Sequence, residues 1–413
     1  MTHWMLSLFV VLITALIVGS IAERVGQSRV IGEIASGLLL GASVLGGVSP
    51  ELFNYLFVGS PGQHLKELAE LGVIILMFEV AWHAPASLEN IAKKHAPIVI
   101  AVAGIVFSFS IGCVLAYVAK PVMAPEKPFF SFILFCGLAL SITALPVLVR
   151  IIRENTFINK SSGSIALASA VCSDMVAWAG VAVISAMYAS GYTSTKQITI
   201  NGIFFLTFIV TSLYVVSPII RKFKWLDGDR FPAFAQITIA FSYCLLCSEI
   251  SDSLGFNRVT GAIVAGYTLS RVPGLESNWK KIVGGFSSLA LTPVFFAYSG
   301  IQASLSLSGS LVVWLLLFFV GSLIGKLGGC YLGARIVGLP KSTSVEVGVL
   351  MNTKGLVELV VLNIGLEIGV VNQATYSVLL ILALVSTGMT IPVLNWWYKR
   401  AGKSQSAPAE AVT

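Results

Sequence analysis

Long apolar runs recur from one end of this chain to the other, and that pattern constrains its fold more than any other feature. A run of about 18 or more such residues is long enough to cross a bilayer as a helix. We count thirteen hydrophobic segments, most of that length: 5–22, 30–48, 68–84, 96–118, 129–152, 163–189, 200–219, 232–250, 256–271, 286–302, 309–335, 344–367 and 374–397. The ninth is weak, broken by Gly261 and Gly266. Only 11% of the residues are charged, against about 25% in a typical soluble domain. A soluble fold would need a core with almost no surface. The expectation is an all-α polytopic membrane protein whose transmembrane domain spans 1–398. A purely structural membrane scaffold would still have to explain the charges inside the apolar runs.

The first run begins almost at Met1 without a cleavage site behind it, which reads as a retained helix and not a signal peptide. Residues 401–413 read as a short cytoplasmic tail, with no soluble regulatory or nucleotide-binding domain expected. The net charge of +7 does not point to nucleic acid, because the basic residues sit in short loops where they set topology. With the N-terminus on side A, side B receives nineteen of the 26 basic residues, from Arg24 and Arg29 to Lys399, Arg400 and Lys403. Side A holds five: Lys66, Lys120, Lys127, Lys196 and Arg258. Lys326 and Lys354 lie within helices. By the positive-inside rule side B is cytoplasmic, so the N-terminus is outside and the C-terminus inside. The six cysteines all fall in apolar runs and read as small apolar side chains. The pair Cys244 and Cys247 lacks a second pair for a metal site.

An odd count suggests inverted repeats, roughly 5–189 and 232–398, with 200–219 as a linking helix. The fifth run is interrupted by LSITALPVLVR at 140–150 and the twelfth by MNTKGLVELV at 351–360, an offset of seven. Pro146 removes a donor and obstructs the preceding turn, and Gly355 loosens the other helix. Two crossed discontinuous helices in inverted halves point to a transport site, with helix ends aimed at a central ion. For Pro146 alone the plainer reading is a kink.

Asp174 is a lone carboxylate in ALASAVCSDMVAWAG, with no basic residue within ten positions. A charge at that depth costs several kcal/mol unless compensated. Carboxylate oxygen suits an alkali cation and also takes a proton, so the two would compete for one group. Ser173 adjoins it, and Ser169 is near the same helical face. Thr143, with Ser141 nearby, stands in the first break as a candidate ligand or a capping hydroxyl. Lys326 needs an anion or a hydroxyl beside one; Asp174 or its neighbour is the natural partner, with snorkelling the plainer alternative. Gly325, Gly328 and Gly329 would let another helix approach. Lys354 and Glu358, four apart, can pair and offset the helix ends at the break. Glu79 is a possible secondary ion site or an alternative partner for Lys354. Glu33 reads at least as well as a solvated or snorkelling interfacial carboxylate as it does as a transport group, and Glu249 and Asp252 read as solvated.

These motifs together resemble the monovalent cation:proton antiporter-2 family, the Na⁺/H⁺ or K⁺/H⁺ exchangers. RVIGEIASGLLLGASVLG at 29–46 is similar to the family's second helix, LSITALPVLVRIIRE at 140–154 to its broken fifth helix, and VLMNTKGLVELVVLNIGLEIGV at 349–370 to its twelfth. TGAIVAGYTLSR, LTPVFFAYSG and GKLGG also resemble it, so the similarity runs from about residue 10 to 398. The resemblance implies a homodimer in a lipid bilayer, a core that moves like an elevator, and Asp174 as the shared cation and proton carboxylate. It puts Ser173 beside that carboxylate, Thr143 on the break and Lys326 at the core lysine position. The transported ions, Na⁺ favoured and K⁺ possible, against H⁺, are cargo; no cofactor and no enzymatic activity are expected. The setting it implies is a bacterial inner membrane. Ser173 replaces the second aspartate of many relatives, which favours electroneutral exchange. The family reads FxVGLE where this chain has FEVAWH at 78–83, so Ala81, Trp82 and His83 depart. Other readings are a gated channel-like pathway, a sensory protein that lost transport, and exchange of another cation or an organic substrate.

Overall fold

A computed structural model describes residues 3–83, 95–154, 158–189, 195–223, 232–254, 256–270, 272, 275–303 and 309–400. The loop residues Lys93, Lys94, Lys224, Arg230 and Arg271, the tail from 401, and the side chains of His83 and Pro146 lie outside what is described. Every regular element among the described residues is helical. In chain order they begin with α1 (Trp4–Arg24), α2 (Arg29–Leu40), α3 (Leu45–Val48), α4 (Pro50–Phe57), α5 (Ser60–His83) and α6 (Ala96–Met123). Next come α7 (Phe129–Ser141), α8 (Leu145–Glu154), α9 (Lys160–Ala189), α10 (Thr195–Thr211) and α11 (Ser217–Phe223). They continue with α12 (Ala233–Ser253), α13 (Arg258–Leu269), α14 (Leu275–Trp279), α15 (Thr292–Ile301) and α16 (Gly309–Ser322). The last are α17 (Gly329–Ile336), α18 (Lys341–Met351), α19 (Leu356–Glu367) and α20 (Gln373–Arg400). Wider π-helical turns join several of them, at Ser212–Val216, Lys280–Gly284, Ser287–Leu291 and Leu323–Gly328.

Among the described residues, eight helical stretches are long and apolar enough to cross a membrane. A ninth is added if Leu275–Gly284 and Ser287–Ile301, bent by 47°, form one span. Large apolar side chains stand exposed along them, among them Phe9, Val114, Leu206, Leu289 and Leu316. On a water-soluble protein such surface would be a liability; on lipid it is the expected outer face. The chain is a multi-pass helical membrane protein. Described helices overlap each of the thirteen apolar stretches.

The chain forms two compact units, each assembled from separate segments. The first comprises Met1–Ala22, Gly32–Glu89 and Trp178–Ser306. Its glycines serve as contact points. A Cβ on Gly261 would strike the Cys247 backbone of α12, and one on Gly266 the Phe78 backbone of α5. The expected interruption of the ninth stretch is therefore not there: α13 is continuous, and its two glycines admit neighbouring backbones. Gly37 and Gly300 do the same between α2 and α15. Glu33 is 4% exposed, so the solvated reading of it does not hold. Glu249 and Asp252 are exposed beside Arg258, which also reaches Glu70.

The second unit comprises Glu23–Ile31, Asn90–Ala177 and Leu307–Thr413. Gly325, Gly329 and Gly333 bring one helix face against α6, where a Cβ would press on Ser108, on Gly104 and on Ile100. Gly328, expected to share that role, has nothing within 4 Å of its Cβ position, because the π-helical turn sets it off that face. Both predicted breaks fall in this unit. The first separates α7 from α8 at Ile142–Ala144, and the second separates α18 from α19 at Asn352–Gly355.

Candidate functional site

The site is built on the carboxyl end of α7. A helix leaves its last four carbonyls without intrahelical donors and carries partial negative charge there. Here the chain turns extended at Ile142, φ −73° and ψ 145°, among buried residues. Two lysines supply the missing donors. Lys354 Nζ donates to the carbonyls of Ala139 (3.1 Å) and Leu140 (3.2 Å). Lys326 Nζ donates to the carbonyl of Ser141. Both lysines are 0% exposed. Snorkelling is thereby excluded for Lys326, whose position in the π-helical turn Leu323–Gly328 directs it inward.

The two breaks bond to each other. The Ala144 N–H donates to the Thr353 carbonyl (2.9 Å), and Thr143 Oγ1 donates to the Met351 carbonyl (2.9 Å). Thr143 is therefore engaged as a cap across the crossing, with its lone pairs still available. Thr387 Oγ1 of α20 lies within reach of the Lys354 carbonyl and of Ala383 O (2.8 Å). Glu358, in the first turn of α19, accepts from Lys354 Nζ at 3.2 Å. A carboxylate there also faces the positive end of the helix dipole. Glu79, in the first unit, accepts a hydrogen bond from Trp279 Nε1 (2.8 Å).

Asp174 lies on α9 and is 7% exposed. Among the described residues its Oδ1 is buried with no hydrogen-bond partner. Ser173 Oγ accepts from Lys326 Nζ at 3.3 Å, so the lysine meets the hydroxyl beside Asp174 and not the carboxylate itself. Ser169 spends its proton on Ile165 O of its own helix (2.8 Å). Buried acceptors without partners are exceptions that call for a reason, such as a ligand. Asn352 Oδ1 and Glu358 Oε2 are two more in this unit. Sequence reasoning missed Asn352, whose only signal was its place at the second break. It also missed Glu346, 1% exposed and hydrogen-bonded by Ser162 Oγ at 2.6 Å. A single acid in the apolar run STSVEVGVLM was the available clue.

Hard oxygen acceptors, a compensated helix end and interrupted backbone are what a desolvated monovalent cation requires. Among solved structures the chain is similar to the sodium proton antiporter MjNhaP1 from Methanocaldococcus jannaschii, with a TM-score of 0.66 over 98% of each chain. At 15% identity that likeness concerns the fold alone. Among characterised sequences it is 31% identical over 399 residues to the Na⁺/H⁺ antiporter NhaS4 of Synechocystis sp., covering 94% of this chain and 95% of that one. It is 33% identical over 412 residues to Cation/H⁺ antiporter 15 of Arabidopsis thaliana, covering 97% of this chain. The chain spans about half the length of that and other plant relatives. A family model described as "Sodium/hydrogen exchanger, transmembrane" matches residues 11–397. On that match, which takes in both breaks and every residue of the site, the chain belongs to the transmembrane sodium/hydrogen exchanger family.

Proposed function

We propose that this chain exchanges a monovalent cation, Na⁺ in preference to K⁺, against H⁺ by alternating access. The observation that carries the proposal is the buried, unpartnered Oδ1 of Asp174. An isolated buried carboxylate holds either a cation or a proton, and that exclusivity couples the two fluxes. Relatives named Na⁺/H⁺ antiporter NhaS4 and K⁺/H⁺ antiporter 1, the latter from Saccharomyces cerevisiae, support the ion class. Lys326 and Lys354 hold the α7 end at near-neutral local charge, which keeps the crossing stable while Asp174 alternates its load. Thr143 and Ser173 contribute lone pairs next to it, and Ser169 shapes the same helix face. With Ser173 preceding Asp174, one proton exchanges for one cation and transport is electroneutral. The protein works as a homodimer in a bacterial inner membrane, N-terminus outside and C-terminus in the cytoplasm. Inverted repeats and thirteen crossings complete the proposed architecture.

The test is proton flux in proteoliposomes on addition of Na⁺, K⁺ or Li⁺. Cation-dependent dequenching of a pH probe is expected, and its disappearance in Asp174→Asn. Undiminished exchange by that variant overturns the mechanism. In the same vesicles, Na⁺/H⁺ exchange is expected to be indifferent to a potential clamped by K⁺ and valinomycin.

A further inference from the structure

Three helix ends of the second unit meet away from Asp174 and the two breaks. Ser162 Oγ, in the first turn of α9, donates to Glu346 of α18 at 2.6 Å. The Asn159 N–H, just before α9, donates to Tyr398 Oη in the last turn of α20 at 3.4 Å. Tyr398 also bonds to Glu346. Lys341 is the first residue of α18, so it stands about 8 Å from Glu346 along the helix axis. Lys160 opens α9, and Lys399 and Arg400 close α20. Four bases therefore gather at one junction, and all four are exposed. Among the described residues none of the four has a carboxylate partner. Glu346 is 1% exposed and already engaged. The positive-inside rule accounts for the sign of these residues. It does not require them to converge, or to lack acids. In the first unit exposed bases are paired, Arg258 with Asp252 and Lys280 with Glu276.

Exposed apolar surface runs up to the same junction. Trp396 is 56% exposed, and the Arg400 guanidinium lies over its ring at 5.3 Å. Ile336, at the end of α17 and shortly before Lys341, is 75% exposed. The bases thus stand where the lipid-facing surface ends. We propose that this junction is a docking surface for the headgroup of an anionic phospholipid. Its phosphate gains charge-assisted bonds from lysine and arginine without displacing an acid, while its acyl chains lie against Trp396 and Ile336. A soluble phosphate leaves that apolar rim unused, and a zwitterionic lipid brings an ammonium that the bases repel. Such attraction fades within a Debye length, so it depends on the bases being close together. A headgroup held here ties the start of α9, which carries Asp174, to the start of α18, which leads into the second break.

The test is native mass spectrometry of the full chain, purified in detergent and delipidated, titrated with phosphatidylglycerol or with phosphatidylcholine of the same acyl chains. The first phosphatidylglycerol is expected to bind roughly fivefold tighter or more, the effect of about one base near an anionic surface. A variant combining Lys160→Gln, Lys341→Gln, Lys399→Gln and Arg400→Gln should lose that preference. If its unfolding midpoint without lipid falls, Lys160→Gln with Lys399→Gln carries the test and should at least halve the preference. Lys120→Gln with Lys127→Gln is the control. Those bases flank Met123 and Glu126, which Asn372 meets just before α20, about 40 Å along that helix from Arg400, and their loss should leave the preference intact. Phosphatidylglycerol should raise the unfolding midpoint of the unmodified chain, and millimolar inorganic phosphate should not. Equal affinity for the two lipids, a preference that survives in the junction variants, equal loss in the control, or a midpoint raised as much by phosphate each overturns the proposal.

Discussion

Lys354 does three things at once, and that makes its replacement more damaging than any one contact suggests. It pairs with Glu358 and donates to two carbonyls at the end of α7. Lys354→Ala would orphan a buried carboxylate and two buried carbonyls, and breaking a buried pair this way costs about 3–5 kcal/mol. Glu358→Gln keeps the lysine on the helix end and replaces a charge by an amide, at about 1–3 kcal/mol. The expected order of unfolding midpoints in detergent is unmodified, Glu358→Gln, then Lys354→Ala; equal midpoints for the two variants would contradict the helix-end role. Asp174 was legible from its isolation in an apolar run, because a lone buried charge is expensive wherever it lies. The choice Lys326 makes between Ser173 and Asp174 was not legible. It depends on a displacement of one residue along α9 and on a π-helical turn, neither of which leaves a pattern in the sequence.

The two interruptions work by different local chemistry. Pro146 falls in the first turn of α8, where a missing N–H costs nothing, so it starts a helix after the break and prevents it from extending backward. Gly355 has φ 144°, a conformation that side chains rarely adopt, and a Cβ there would stand 3.1 Å from Val147 Cγ2. Gly355→Ala is expected to cost about 1–3 kcal/mol and to slow exchange, read as a lower unfolding midpoint with reduced dequenching rate. An unchanged midpoint would show that the second break tolerates a side chain. Gly261 and Gly266 carried the same residue type and produced no break at all. Glycine permits an interruption, but whether one forms depends on what surrounds it: the side chains of Val147, Ala144 and Thr387 at Gly355, the backbone of an intact helix at Gly266.

For the whole molecule, the asymmetric loop charges make a prediction that packing does not. Gln63 belongs to the side expected outside and Lys341 to the side expected in the cytoplasm, and both are exposed. In intact cells Gln63→Cys should react with a membrane-impermeant maleimide, and Lys341→Cys only after permeabilisation. The reverse pattern, or both on one side, would refute the proposed topology and with it the inverted repeats. The sequence by itself determined the helical membrane class, the two interrupted stretches and the carboxylate most in need of an explanation. Each follows from solvation, since lipid penalises exposed backbone and unpaired charge in ways that composition and local pattern record. Tertiary structure alone decided which lysine holds which carbonyl, that Glu79 answers to Trp279, that the breaks bond to each other, and that four bases gather where three helix ends meet. Those are short-range contacts between residues far apart in the chain, and their energies depend on distances of a few tenths of an ångström that no pattern along one strand of sequence encodes.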